Sequence, residues 1–156
     1  QVRTLGLRPD YLRTLGRDDE VVNYNEWTVP LGRRFRALKL WFLLRAHGLE
    51  GLRGMIRNHI AWAHEAAAAI GALEDFRLIT DCRFSLFTFQ HAPGGEDANA
   101  ATERLLQRVN DDGRIYLTQT TVEGRFVIRF QVGQFECTRE DVQLGVDVLA
   151  ELATTG

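Results

Sequence analysis

Apolar positions along this chain keep helical spacing at both ends and alternate at period two in between. Pro30 disfavours a helical conformation at Val29, and after it Leu31, Phe35, Leu38 and Phe42 recur at helical spacing. This predicts a helix over 31–47 with one apolar face, ended by Gly48. Leu49, Leu52, Ile56, Ile60, Ala63, Ala67 and Ile70 predict a second helix, closed by Gly71. The alanines from Ala66 to Ala69 predict close approach to a neighbour. The period then changes. Phe76 and Leu78 open one strand, and Cys82, Phe84 and Leu86 alternate with Arg83, Ser85 and Phe87 in another. Both faces become apolar near Phe87 and Phe89, which predicts a central strand.

Ala92-Pro93-Gly94-Gly95 reads as a turn, and Asp97 caps a helix with Ala98, Ala101, Leu105 and Val109 inward, ended by Asp112-Gly113. Residues 114–121 and 125–132 read as a hairpin joined near Glu123-Gly124. Phe126, Ile128, Phe130 and Val132 share one face of it, and Val127, Arg129 and Gln131 the other. Thr138 with Asp141 resembles a capping box, with Asp in place of the usual Glu. The last helix buries Val142, Val146, Leu149 and Leu152. The order strand, strand, helix, strand, strand, helix predicts an α/β (α+β) domain. Its simplest packing is a mostly antiparallel sheet covered on one face by helices.

Ahead of these elements, Gly6, Pro9, Gly16 and the run Asp18-Asp19-Glu20 break any periodicity. Apart from a short helical turn at 9–13, residues 1–30 read as an extended or mobile arm. Long loops of this kind are usually functional or disordered.

Composition narrows the function. With 156 residues and 45% hydrophobic content, one core and one domain are the default. A formal net charge of -2 argues against a nucleic-acid partner. No apolar run approaches the roughly 20 residues that span a bilayer, so no membrane partner is expected. Cys82 and Cys137 are too few for a disulfide framework and read as reduced. No signal-peptide pattern opens the chain, and a cytoplasmic location is expected. The chain begins at Gln1, which fits a processed chain, a trimmed one or a piece of something longer.

Candidate chemistry is sparse. Arg33, Arg34, Arg36 and Lys39 crowd the start of the first helix, where the dipole favours anions. They are either a solvated basic face or cations that meet anionic groups from another part of the protein. His59 and His64 are five apart and fall on different helix faces, and the cysteines lack CxxC partners, so no metal site is expected. No GxSxG is present, and Gly94-Gly95 is more simply a turn than a phosphate cradle.

Several stretches, in order, resemble one family. They are Tyr24 to Trp27, then PLGRRFRALK from Pro30 to Lys39, LLQRVN from Leu105 to Asn110, and IYLTQTTVEGRFVIRF from Ile115 to Phe130. Together with LRPDYL in the arm they resemble the pyridoxal-phosphate-dependent aromatic-L-amino-acid decarboxylases, the group II family of dopa, tyrosine and tryptophan decarboxylases. The resemblance runs over essentially the whole chain.

It implies the small C-terminal domain of a fold-type I enzyme. Residues 1–30 would be the arm and catalytic loop, 31–48 a connecting helix and 49–156 the small domain. In that family the cofactor carries the hard chemistry, and a loop tyrosine closes over the site and helps protonate the carbon that has lost carbon dioxide. By resemblance Tyr24 is that tyrosine. By the same resemblance Gly32 matches a family position beside the substrate ring, where glycine leaves room for a bulky side chain. The resemblance further implies that Arg33 and Arg34 support the domain junction and the dimer interface, and that Arg129 is structural. One departure matters. The family holds pyridoxal 5'-phosphate on a lysine that follows a histidine, and the only lysine here, Lys39, follows Leu38. The resemblance therefore implies a cofactor held by residues outside this chain, a partner large-domain portion, a homodimer of the complete enzyme, an amino acid substrate, and no activity of this chain alone. The competing expectation is an interaction module that kept the fold and lost the chemistry. A related decarboxylase acting on a non-aromatic amino acid is a third.

Overall fold

In the computed structural model of the chain, residues 34–154 are described. The chain divides between Gly48 and Leu49 into two units. The elements are α1 (Ala37–Gly71), β1 (Phe76–Arg83), β2 (Leu86–His91), α2 (Ala98–Asp112), β3 (Thr118–Val122), β4 (Arg125–Gln131) and α3 (Arg139–Thr154). α1 is interrupted at Gly48, where φ is 68° and ψ 165°. Those angles are essentially restricted to glycine, so the expected break between two helices is present.

The helix before Gly48 starts later than its apolar spacing predicts, because residues 34–36 are not helical. Its first turn contains no acidic residue, and Arg34, Arg36 and Lys39 put positive charge where the dipole opposes it. The N–H groups of Leu38 and Lys39 reach back only three residues, to Phe35 and Arg36, a tightened start typical of an uncapped end. The helix after Gly48 differs from expectation in its buried stripe. His59, Ala63, Ala66, Ala67 and Ile70 are buried, while Leu49 and Ile56 are half exposed. Burial is thus confined to its C-terminal part, where the alanines permit the close approach the sequence predicts.

The sheet runs in the order β1-β2-β4-β3 with every pairing antiparallel. β2 is an inner strand, and Phe87 through His91 are all buried. The β1–β2 turn corrects the sequence reading. Cys82 lies in β1, and the reversal falls on Phe84-Ser85, with Phe84 at φ 53° and 82% exposed. Neither residue advertises a tight hairpin, which Asn-Gly or Asp-Gly would have done. The β3–β4 hairpin does advertise itself. Glu123 and Gly124 both have positive φ, as a two-residue turn of the twist-compatible type requires.

β3 starts only at Thr118, so residues 114–117 are loop and not strand. Side chains satisfy that loop instead. Asn110 accepts from the Leu117 N–H at 2.9 Å and donates to the Leu117 carbonyl at 3.1 Å. Arg114 bonds Asp112 and reaches Glu151 on α3 at 2.8 Å.

Ala63, Ile70, Phe87, Phe89, Leu105, Val109, Ile128, Phe130, Val146 and Leu149 belong to one core. Each fully buried large apolar side chain contributes on the order of 1.5–3 kcal/mol. The capping predictions hold in detail. Asp97 accepts from the Asn99 N–H, and α2 closes on Gly113 at φ 80°. Thr138 and Asp141 bond reciprocally, N–H to side chain, at 2.8 and 3.2 Å. Asn99 then joins α2 to the sheet, its Oδ1 accepting from the Phe126 N–H at 2.9 Å and from Gln90 Nε2 at 3.0 Å.

Candidate functional site

Three of the residues singled out in the sequence, Tyr24, Gly32 and Arg33, lie outside the described residues. Arg34 is exposed, and its backbone carbonyl accepts from the Arg36 N–H at 2.8 Å. Lys39 is exposed on α1. A lysine that carries a cofactor as an imine is normally desolvated or placed among charges that lower its pKa. Lys39 is exposed and therefore not desolvated.

The segment before Gly48 does show an unusual surface. Its apolar stripe is not buried: Phe35 is 74% exposed, and Leu38, Leu40, Trp41, Phe42, Leu43 and Leu44 are exposed as well. These residues point around the helix rather than along one face, the pattern of a helix enclosed on several sides. Trp41 meets Phe42 edge-on at 5.1 Å, and the Arg45 guanidinium stands 5.8 Å from the Trp41 ring.

In the unit after Gly48, β4 sorts its side chains as the alternation predicts. Ile128 and Phe130 enter the core, while Arg129 lines a shallow groove of about 550 Å³ on the sheet with Thr80, Thr88 and Thr120. Thr80 and Thr88 share a hydrogen bond of 3.0 Å there, and Thr80 Oγ1 accepts from the Thr88 N–H at 3.1 Å. Alternation in the sequence placed Arg129 on one face of the hairpin but did not bring the threonines to it, because their juxtaposition depends on the irregular β1–β2 register.

Other candidate chemistry is absent among the described residues. No group of three or more His, Cys, Asp or Glu is arranged to hold a metal ion. Burial pushes the Cys82 and Cys137 thiols up from their ordinary value, so neither is a ready nucleophile at neutral pH.

Known proteins place this geometry. The chain is 40% identical over 136 residues to a tyrosine decarboxylase of Arabidopsis thaliana, covering 85% of this chain and 25% of that protein. A tyrosine decarboxylase of Narcissus pseudonarcissus is 34% identical over 157 residues, covering 98% of this chain and 31% of the relative. Among solved structures, Oryza sativa TDC with PLP and tryptamine superposes with a TM-score of 0.87 at 31% identity, over 98% of this chain and 33% of that one. The chain thus spans a quarter to a third of the length of these relatives. Its described part is the four-stranded antiparallel sheet and helices of a fold-type I small domain. Residues 2–92 match the pyridoxal-dependent decarboxylase conserved domain, and the chain belongs to that family.

Proposed function

We propose that this chain is the catalytic-loop and small-domain portion of a cytoplasmic carboxy-lyase that converts an aromatic L-amino acid to its amine. The observation that carries the reading is the match of nearly the whole chain to tyrosine decarboxylases of which it spans only a quarter to a third. On this reading a large-domain portion supplies the lysine and the pocket that hold pyridoxal 5'-phosphate. The complete enzyme is a homodimer, and this chain alone is inactive. The exposed apolar residues Phe35 to Leu44 support a covering partner, because so much apolar surface on one short segment is costly in water.

The roles within the chain follow from this reading. The cofactor, when bound, supplies the electron sink that makes loss of carbon dioxide feasible. Tyr24 brings its phenolic proton to the substrate carbon and excludes water. Gly32, lacking a side chain, leaves space for the aromatic ring of the substrate. Arg33 and Arg34 meet anionic groups at the junction with the large domain. Holding a donor at the reacting carbon in this way contributes about 10²–10⁴ in rate.

The test is reconstitution. The chain is combined with a large-domain portion of a tyrosine decarboxylase, and amine is measured with tyrosine, dopa and tryptophan as substrates. Amine is expected only when both portions are present, with a loss of about a hundredfold or more for Tyr24→Phe. Undiminished amine from Tyr24→Phe removes the proton-donor role. Failure to associate with any large-domain portion favours an interaction module that kept only the fold.

A further inference from the structure

Between the end of β2, α2 and the last turn of α3 lies a cavity of about 180 Å³, lined by His91, Pro93, Glu96, Arg104, Arg108 and Ala153, among others. An apolar cavity of about 150 Å³ is enough to hold benzene, so this one has room for a single small molecule. Two of the residues that line it each carry a buried side-chain nitrogen with no hydrogen-bond partner among the described residues, His91 Nδ1 and Arg108 Nε. Buried polar atoms in folded proteins are nearly always satisfied, and an orphan calls for an explanation.

Other residues hold the backbone around His91. Its N–H donates to Thr102 Oγ1 at 3.0 Å, and its carbonyl accepts from the same hydroxyl at 3.1 Å. The imidazole rests against the Phe76 ring at 4.9 Å and is only 4% exposed. The ring therefore cannot swing out to satisfy Nδ1 in solvent without giving up this packing. Arg108 is half-buried, and its guanidinium offers donors and no acceptor. Arg104, by contrast, is paired with Glu96 at the rim, where both side chains are about half exposed. Of the charged side chains that line the cavity, Arg108 has no ion-pair partner among the described residues, and Asp75, outside the lining, is the other carboxylate that acts on His91.

We propose that this cavity binds a small oxyanion, a carboxylate or a phosphate, between the Arg108 guanidinium and the His91 imidazole. The ligand's oxygens supply the acceptors that Arg108 Nε lacks, in the planar geometry that guanidinium favours. A neutral His91 donates from Nδ1 when the ring takes the Nδ1–H tautomer. Glu96 does not close the site to an anion while Arg104 holds its carboxylate. Such a site is independent of decarboxylation.

The experiment titrates the full chain with inorganic phosphate and, separately, with acetate, and follows the ¹⁵N and ¹H signals of the His91 ring. A saturable shift toward the Nδ1–H tautomer with either probe is expected, and the probe that binds tighter distinguishes a phosphate from a carboxylate source. Arg108→Gln, checked for an intact fold by circular dichroism, is expected to abolish the shift. Arg104→Gln, an exposed change that leaves the core alone, frees the Glu96 carboxylate and is expected to weaken binding about tenfold, or about 1.4 kcal/mol. No saturable shift with either probe overturns the proposal, as does an affinity untouched by both substitutions.

Discussion

Gly145 on α3 and Phe130 on β4 meet so closely that a Cβ on the glycine would lie 3.0 Å from Phe130 Cζ and 3.2 Å from Cε2. Phe130 has little freedom to withdraw. It is 5% exposed and stacks on Phe87 with 5.2 Å between ring centroids and an interplanar angle of 20°. Gly145 is therefore what lets the last helix approach Phe130 this closely. Gly145→Ala would ordinarily gain about 1 kcal/mol of helix propensity. Here overpacking costs about 1–3 kcal/mol, and the collision prevails. The variant is expected to be less stable by roughly 1 kcal/mol in urea unfolding with an unchanged m-value. A more stable variant would show that Phe130 can give way.

His91 makes stability depend on pH. Burial, the largest influence, holds its imidazole below the ordinary histidine value, and Arg108 and Arg104 act the same way, while Asp75 and Glu96 act in the opposite sense. The folded state thus binds a proton less readily than the unfolded state. The resulting stability is present above the unfolded value of about 6.5 and is lost as pH falls below it toward the lower folded value. Unfolding midpoints are expected to decline between about pH 7 and pH 5. That decline should be shallower in His91→Asn, which keeps the backbone bonds to Thr102. Equal slopes in the two proteins would mean that other groups carry the pH dependence.

What the sequence disclosed and what it concealed divide along physical lines. Local chemistry was legible. The reciprocal Thr138–Asp141 bonds, the Asp97 cap, Gly113 at positive φ and the Glu123-Gly124 turn each depend on a few adjacent residues. Alternation also reported faces correctly, as with Ile128 and Phe130 inward and Arg129 on the open groove. The reversal at Phe84-Ser85 was concealed because Phe84 takes the positive φ that Gly, Asn or Asp would signal, and apolar alternation runs straight through it. The late start of α1 was concealed because spacing records a face, not whether a helix end can satisfy its N–H groups. The cavity at His91 and Arg108 was concealed for a different reason. Those residues belong to different elements and meet only when α2 folds back on β2.

Lys39 supplies the sharpest discrimination between the functional readings. It is the chain's only lysine, and it stands exposed on α1 behind Leu38 rather than behind a histidine. If the cofactor is held by a large-domain portion, Lys39 contributes only a surface charge, and Arg preserves that charge. In the reconstituted enzyme, Lys39→Arg is expected to leave both the cofactor's absorbance band and amine production unchanged. The isolated chain, incubated with pyridoxal phosphate, is expected to show no stable imine band that survives gel filtration, because an imine on the exposed Lys39 is open to hydrolysis by water. A stoichiometric band that persists in the isolated chain and disappears in Lys39→Arg would make Lys39 the cofactor lysine and remove the need for a second portion to hold it. Absence of the band, with restoration only on adding the large-domain portion, would place the cofactor's attachment outside this chain and leave Tyr24 as its contribution to the chemistry.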